Sequence, residues 1–196
     1  MVAGRPYPGT CRSRNNDVLT PAPTEPPSSL RLKIPPDLDQ IEFNDELLGR
    51  TQQQLTQQSG DFIVRRADGL ISYQLAVVID DAITGVTRVV RGADLLESTP
   101  RQILLQNLLQ LPQPAYLHLP VLLNRSGTKL SKQAHAQPLD SSRAGQNLHL
   151  LLQLLNQSPP SALQRETPTQ ILAWATEHWR CAAVPRTTEL TGYIAH

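Results

Sequence analysis

Along this chain the spacing of apolar side chains changes period several times, and each change predicts an element. Residues 29–34 (Ser-Leu-Arg-Leu-Lys-Ile) alternate polar and apolar, the period of two of a half-exposed strand, and Pro35-Pro36 ends it. A second strand is predicted over 40–44. Residues 51–59 are polar and glutamine-rich and read as a connection. Residues 62–66 read as a strand that turns at Ala67-Asp68-Gly69 into 70–72, because Asp-Gly between apolar runs marks a hairpin. From Tyr73 the period lengthens: Tyr73, Ala76, Val77 and Asp80 fall at helical spacing, with Leu75, Val78 and Ile79 making the stretch apolar almost all round. That pattern predicts a buried helix, with strand as the competing assignment because of its β-branched run.

Gly85 stops this element, and 86–90 read as a buried strand ending at Arg91-Gly92. Ser98-Thr99-Pro100 is a helix start, with a hydroxyl cap and proline in the first turn, leading into 101–109. Residues 116–123 form a further apolar strand, and 134–146 a polar connection. A leucine-rich helix follows over 147–157, stopped by Pro159-Pro160, and a last amphipathic helix starts at Thr167 or Thr169 and runs through Trp179. On it Ile171, Trp174, Ala175 and His178 share a face, so Trp174, Trp179 and Cys181 read as core or rim residues. Helix, strand, helix is the order of an α/β unit. In open α/β sheets ligands bind beyond the carboxyl ends of the strands, a rule that points at Arg91.

Composition narrows this picture. The chain has 196 residues, 18 basic against 17 acidic, and a net charge of +1, so no global field announces a nucleic-acid partner and any RNA contact is local. Two distant cysteines, Cys11 and Cys181, form no disulfide framework and fit a reducing, cytoplasmic setting. No apolar run approaches the roughly 18 residues of a membrane span, so no membrane is expected. The first 28 residues are rich in proline and read as loop.

The stretch with most chemistry is Asn124-Arg125-Ser126-Gly127-Thr128-Lys129-Leu130-Ser131-Lys132-Gln133. Asn-x-x-Gly is a turn signal, and Lys-Leu-Ser-Lys then presents two ammonium groups and a hydroxyl. Its two readings are a solvated basic turn and a loop that holds phosphate. Asp80 and Asp81 are adjacent and diverge by about 100° on a helix, so they do not form a paired-carboxylate site. His118 and His135 read as orienting or surface residues.

A dense, ordered set of motifs decides between these readings. It comprises Asp61-Phe62-Ile63-Val64-Arg65, Asp68-Gly69, residues 72–81, Gly85-Val86-Thr87, Val90-Arg91-Gly92-Ala93-Asp94-Leu95, Thr99-Pro100-Arg101-Gln102-Ile103, His118-Leu119-Pro120 and Lys129-Leu130-Ser131-Lys132-Gln133. Together these resemble the catalytic domain of class I glutamyl-tRNA synthetases. Within that superfamily the chain is most similar to the glutamyl-Q tRNA(Asp) synthetases, truncated bacterial paralogues that glutamylate the queuosine base of the tRNA(Asp) anticodon. Gln133 stands where full-length synthetases more usually carry Arg, Tyr7-x-x-x-Cys11-Arg12 resembles half of a zinc motif, and Trp179-Arg180-x-x-x-Val184-Pro185 resembles the paralogues' C-terminus.

The resemblance implies an α/β fold: the C-terminal portion of a class I synthetase Rossmann-type catalytic domain followed by a small helical module. Its parts would be a proline-rich loop with a zinc-motif remnant (1–28), the catalytic portion (29–136) and the helical module (137–196). The implied partners are L-glutamate, ATP with Mg²⁺, and the anticodon region of tRNA(Asp), with a monomer when intact. Tyr73 and Arg91 resemble glutamate-binding residues. Lys129, Leu130, Ser131, Lys132 and Gln133 resemble the ATP loop, with Lys132 catalytic. Tyr7 and Cys11 resemble two of four Zn²⁺ ligands.

The family's first half, with its His-Ile-Gly-His-type signature, has no counterpart, so an incomplete form is expected, without glutamate-dependent ATP–pyrophosphate exchange on its own. The alternatives are a fragment of a discriminating glutamyl-tRNA synthetase and a non-catalytic remnant or tRNA-binding module.

Overall fold

The computed structural model describes residues 6–10, 28–124, 127, 129 and 140–191. They fall into two compact units, one within Met1–Val90 and Leu95–Leu117, the other within Arg91–Asp94 and His118–His196.

In the first unit β1 (Leu30–Leu32) pairs antiparallel with β4 (Phe62–Arg65). The buried Asp61 carboxylate accepts from the Ile34 amide at 3.0 Å and pins the end of β1. Strands β2 (Gln40–Asp45) and β3 (Gly49–Gln54) form an antiparallel hairpin. Its turn is made by the Asp45 carboxylate, which accepts from the amides of Leu47 and Leu48 at 3.0 and 2.8 Å, and by Gly49 at φ +82°.

Residues 51–59 are therefore not a plain connection: they contain most of β3 and the short helix α1 (Leu55–Gln58). Glutamines on both faces of β3 carry no alternation, so the backbone ladder to β2 makes this strand, and its polar side chains suit a sheet edge. Leu55, 1% exposed, is its apolar anchor in the core.

The main sheet has the order β3-β2-β6-β5, with β5 at Arg88–Gly92 and β6 at Ala115–Leu119; β2 and β6 run parallel, with Asp45 opposite Tyr116. Helices α2 (Tyr73–Thr84) and α3 (Thr99–Leu108) pack on each other. Ile41, Phe43, Phe62, Ile103, Leu104 and Tyr116 share the core, where Phe43 meets Tyr116 edge-on at 5.9 Å.

Four expectations need correction here. Helix α2 ends at Gly85 (φ +71°) as expected, but only Val78 is buried and Ile83 is 79% exposed, so the helix is covered on one side rather than all round. Strand β5 is an edge strand, half-exposed rather than buried, with Val90 uncovered. Ser98 makes no side-chain cap at α3; its hydroxyl instead accepts from Gln74 Nε2 at 3.0 Å and Arg101 Nη2 at 3.2 Å. The Asp-Gly turn reverses the chain as expected, with the Arg66 amide donating to the Leu70 carbonyl at 2.8 Å and the Ser72 amide to the Val64 carbonyl at 3.0 Å, but residues 70–72 pair through an isolated Arg65 to Ile71 bridge rather than as a strand.

In the second unit the apolar run 116–123 is broken at Pro120, which has no amide hydrogen to continue the ladder. Strand β7 (Val121–Leu122) beyond it pairs parallel with β8 (Glu189–Leu190). Helix α4 (Ala144–Leu154) starts earlier than expected. Asp140 caps the preceding 3-10 turn through the Ser142 amide at 2.9 Å, and that turn runs straight into the helix.

Helix α5 (Pro168–His178) is opened by a capping box between Thr167 and Gln170, which selects Thr167 over Thr169. Gly145 lets α4 approach closely, since a Cβ there would lie 2.9 Å from the Glu166 carbonyl. Ile171 is fully buried with Leu152 and Leu163, while Trp174 stacks on His178 at 4.7 Å. Ile171→Ala is expected to destabilise the helical unit by about 2–5 kcal/mol and Ile171→Val by about 0.5–1.5, read by denaturant unfolding of α4 and α5 signals. Among the described residues no helix is long and apolar enough to cross a membrane.

Candidate functional site

The second unit gathers the carboxyl ends of β5 and β6 with the start of the lysine loop. Arg91 is the last residue but one of β5, where the strand-end rule places it. Its Nε donates to Nε2 of His118 at 3.1 Å. A guanidinium is always protonated, so this bond requires an unprotonated Nε2 on His118. His118 is 0% exposed and, two residues after Tyr116 on β6, occupies the same inward register. A buried imidazole thus fixes one edge of the Arg91 guanidinium. Of the two readings of His118, orienting or surface residue, its burial excludes the second; the signal in the sequence was a polar side chain at the inward position of an apolar strand.

Next to Arg91, Gly92 allows close approach: a Cβ would collide with the Asp94 carboxylate and stand 3.3 Å from Val121. After β7 the chain turns, the Gly127 amide donating to the Asn124 carbonyl at 3.0 Å with Gly127 at φ +78°. Lys129 then bridges back to Leu123 in antiparallel fashion, and its Nζ contacts Asp94 Oδ2 at 2.5 Å. The segment Arg91–Asp94 is therefore shared by two of the predicted site residues, Arg91 and Lys129. Asp94 was missed from the sequence, because its partner lies 35 residues away and no spacing rule connects them.

Tyr73 opens α2 in the first unit and is 53% exposed. Leu130, Ser131, Lys132, Gln133, His135 and Cys11 lie outside the described residues. Tyr7 bridges to Gly60, whose missing Cβ would stand 2.7 Å from the Tyr7 amide, and the Arg31 guanidinium covers its ring at 4.2 Å. A cation over the ring is a packing arrangement, not a dication's environment. Tyr7 and Cys11 supply two donors where a closed tetrahedral zinc site takes four. Among the described residues no group of three His, Cys, Asp or Glu side chains could hold a metal ion. The described residues thus offer Tyr7 alone of the two expected zinc ligands, Cys11 lying outside them. A separate cavity of about 530 Å³, lined by Arg143, Arg165 and their neighbours, contains none of the predicted site residues.

Chemically, an oriented guanidinium at a strand end recognises a carboxylate through paired charge-assisted hydrogen bonds. A lysine on a turn beyond the neighbouring strand binds a phosphate as a point charge.

The chain is similar to known proteins over most of its length. The chain is 45% identical over 184 residues to a glutamyl-Q tRNA(Asp) synthetase of Ectopseudomonas mendocina, covering 94% of this chain and 60% of the relative. A relative of the same name from Dechloromonas aromatica is 49% identical over 183 residues, covering 93% and 58%. The chain thus spans about 60% of the length of the curated relatives it matches. The glutamate-tRNA synthetase structure of Elizabethkingia anophelis superposes with a TM-score of 0.60 at 22% identity, over 84% of this chain and 36% of that one, which shows a shared fold. Residues 4–157 match the family described as tRNA synthetases class I (E and Q), catalytic domain. With most of its length inside that match, the chain belongs to the class I (E and Q) tRNA synthetase catalytic-domain family.

Proposed function

We propose that this chain carries the carboxylate-binding and phosphate-loop part of an enzyme that activates glutamate with MgATP and transfers it to the queuosine base of tRNA(Asp). The observation that carries this reading is Arg91, oriented by His118 at the end of β5 in the same compact unit as Lys129. The relatives named glutamyl-Q tRNA(Asp) synthetase support the choice of acceptor.

In this reading Arg91 binds a glutamate carboxylate and Tyr73 contributes to the same substrate. The loop of Lys129, Leu130, Ser131, Lys132 and Gln133 binds the ATP phosphates. Lys132 stabilises charge on the phosphates as the glutamate carboxylate attacks the α-phosphorus and pyrophosphate leaves. Such catalysis needs no protein nucleophile: it works by positioning two substrates and by electrostatic stabilisation of the transferring group.

Because the chain spans about 60% of its relatives, the test transplants it. Residues 1–196 replace the matching part of the Dechloromonas aromatica relative, and the chimera is assayed for attachment of labelled glutamate to tRNA. The expected result is labelling of queuosine-containing tRNA(Asp) and not of queuosine-free tRNA(Asp). Labelling of tRNA(Glu) instead would favour a discriminating glutamyl-tRNA synthetase. No labelling with a folded chimera would favour the non-catalytic reading.

The orienting role of His118 gives a further expectation in this chimera. His118→Leu removes the acceptor for Arg91 Nε and should raise the glutamate KM roughly ten-fold, in line with about 1–3 kcal/mol for a lost buried partner, with kcat nearly unchanged. His118→Gln, which restores an acceptor, should recover part of that loss. A shift in kcat alone, with KM unmoved, would show that His118 does not act through Arg91.

A further inference from the structure

Asp94 lies three residues beyond Arg91, and its carboxylate meets the first lysine of the loop. We propose that Asp94 is the resting counter-ion of Lys129, a built-in anion that occupies the ammonium until a polyphosphate displaces it; this rests on reading residues 124–133 as a phosphate loop. Three observations carry it. The Nζ to Oδ2 contact is 2.5 Å, yet the two side chains keep 43% and 35% of their surface exposed, so an incoming anion can reach the pair.

The backbone under Lys129 is held in place. It bridges to Leu123, the turn between them is closed by the Gly127 amide, and the Leu123 amide donates to the Leu190 carbonyl at 2.9 Å. Finally, Gly92 leaves the space that the Asp94 carboxylate fills, since any Cβ at 92 would run into Oδ1. The fold therefore provides both the seat of the carboxylate and the reach of the amine.

The chemistry favours exchange. An ammonium is a compact charge with three rotatable donors and no demand for planar geometry, so a carboxylate and a phosphate oxygen serve it equally. An exposed ion pair is weak, worth at most about a five-fold effect in an equilibrium, and so it yields to an anion bearing several charges. Asp94 keeps Lys129 extended and partnered at rest, and is a positioning residue, not a catalytic one.

The test uses the full chain, residues 1–196, and inorganic tripolyphosphate as the probe. Lys129 is acetylated with acetic anhydride at fixed pH, and its rate is read by peptide mass spectrometry against Lys33 as internal reference. Acetylation needs the unpaired amine. Asp94→Asn should speed Lys129 two- to five-fold and lower the half-protecting tripolyphosphate concentration by a similar factor, about the size of an exposed ion pair. Gly92→Ala, which displaces the carboxylate without changing charge, should act in the same direction. Glu97→Gln, a nearby charge change facing Arg101, should leave both readouts unmoved.

An unchanged Lys129 rate in Asp94→Asn, or an equal rise in Glu97→Gln, would overturn the pairing. A faster rate with the same half-protecting concentration in both proteins would overturn the competition and leave the phosphate loop standing. Absence of protection in either protein would overturn the phosphate reading itself, and the counter-ion proposal with it.

Discussion

Arg91→Ala in the chimera is expected to lower kcat/KM for glutamate by two orders of magnitude or more, chiefly through KM. Truncating one partner of a hydrogen-bonded charge pair costs about 2–5 kcal/mol, and each 1.4 kcal/mol is roughly ten-fold. The change also takes from the buried His118 Nε2 the donor it accepts at 3.1 Å. Arg91→Lys keeps the charge but has no Nε to give His118 and no planar fork for the substrate, so it should resemble alanine more than wild type. The measurement is glutamate-dependent ATP–pyrophosphate exchange as a function of glutamate concentration. Wild-type kcat/KM in either variant would remove Arg91 from the glutamate site.

The second large effect is expected at Lys132. Lys132→Ala should depress the rate of adenylate formation by about 10²–10³, the loss typical of removing one preorganised donor to developing transition-state charge, while glutamate KM and thermal stability stay near wild type. Lys129→Ala should be milder. Its ammonium is engaged by Asp94 at rest, so its removal subtracts an interaction that must first be exchanged. Single-turnover adenylate formation separates the two. Equal rates for Lys132→Ala and wild type would move catalysis out of this loop, whereas equal losses at both lysines would mean that they act as one unit.

What was legible in the chain follows the reach of local physics. The stop of α2 at Gly85 was readable because a left-handed cap needs glycine, whereas the start of α5 was narrowed only to Thr167 or Thr169, and the capping box with Gln170 selected the first. Arg91 was readable because a strand end followed by glycine is a local event with a general functional meaning. The turn at Asn124 and Gly127 was readable for the same reason.

Strand β3 was not, because its glutamines show no period and only the ladder to β2 makes them a strand. The break at Pro120 was hidden inside an apolar run, where the missing amide interrupts the ladder before β7 pairs with β8. The exposure of α2 and β5 could not be read either. Apolar composition records what a segment can bury, and Ile83 and Val90 remain uncovered in the described residues.

The sequence by itself determined the family and most of the helices and strands, and it named the residue types proposed for the site: a guanidinium at a strand end and a lysine pair after a turn. Each depends on side chains a few positions apart, which spacing and periodicity can read. Only the tertiary structure decided how those groups are held. Arg91 meets His118 27 residues away, and Lys129 meets Asp94 35 residues away. Such pairs exist because the tertiary fold brings segments far apart in sequence side by side, which no local pattern encodes.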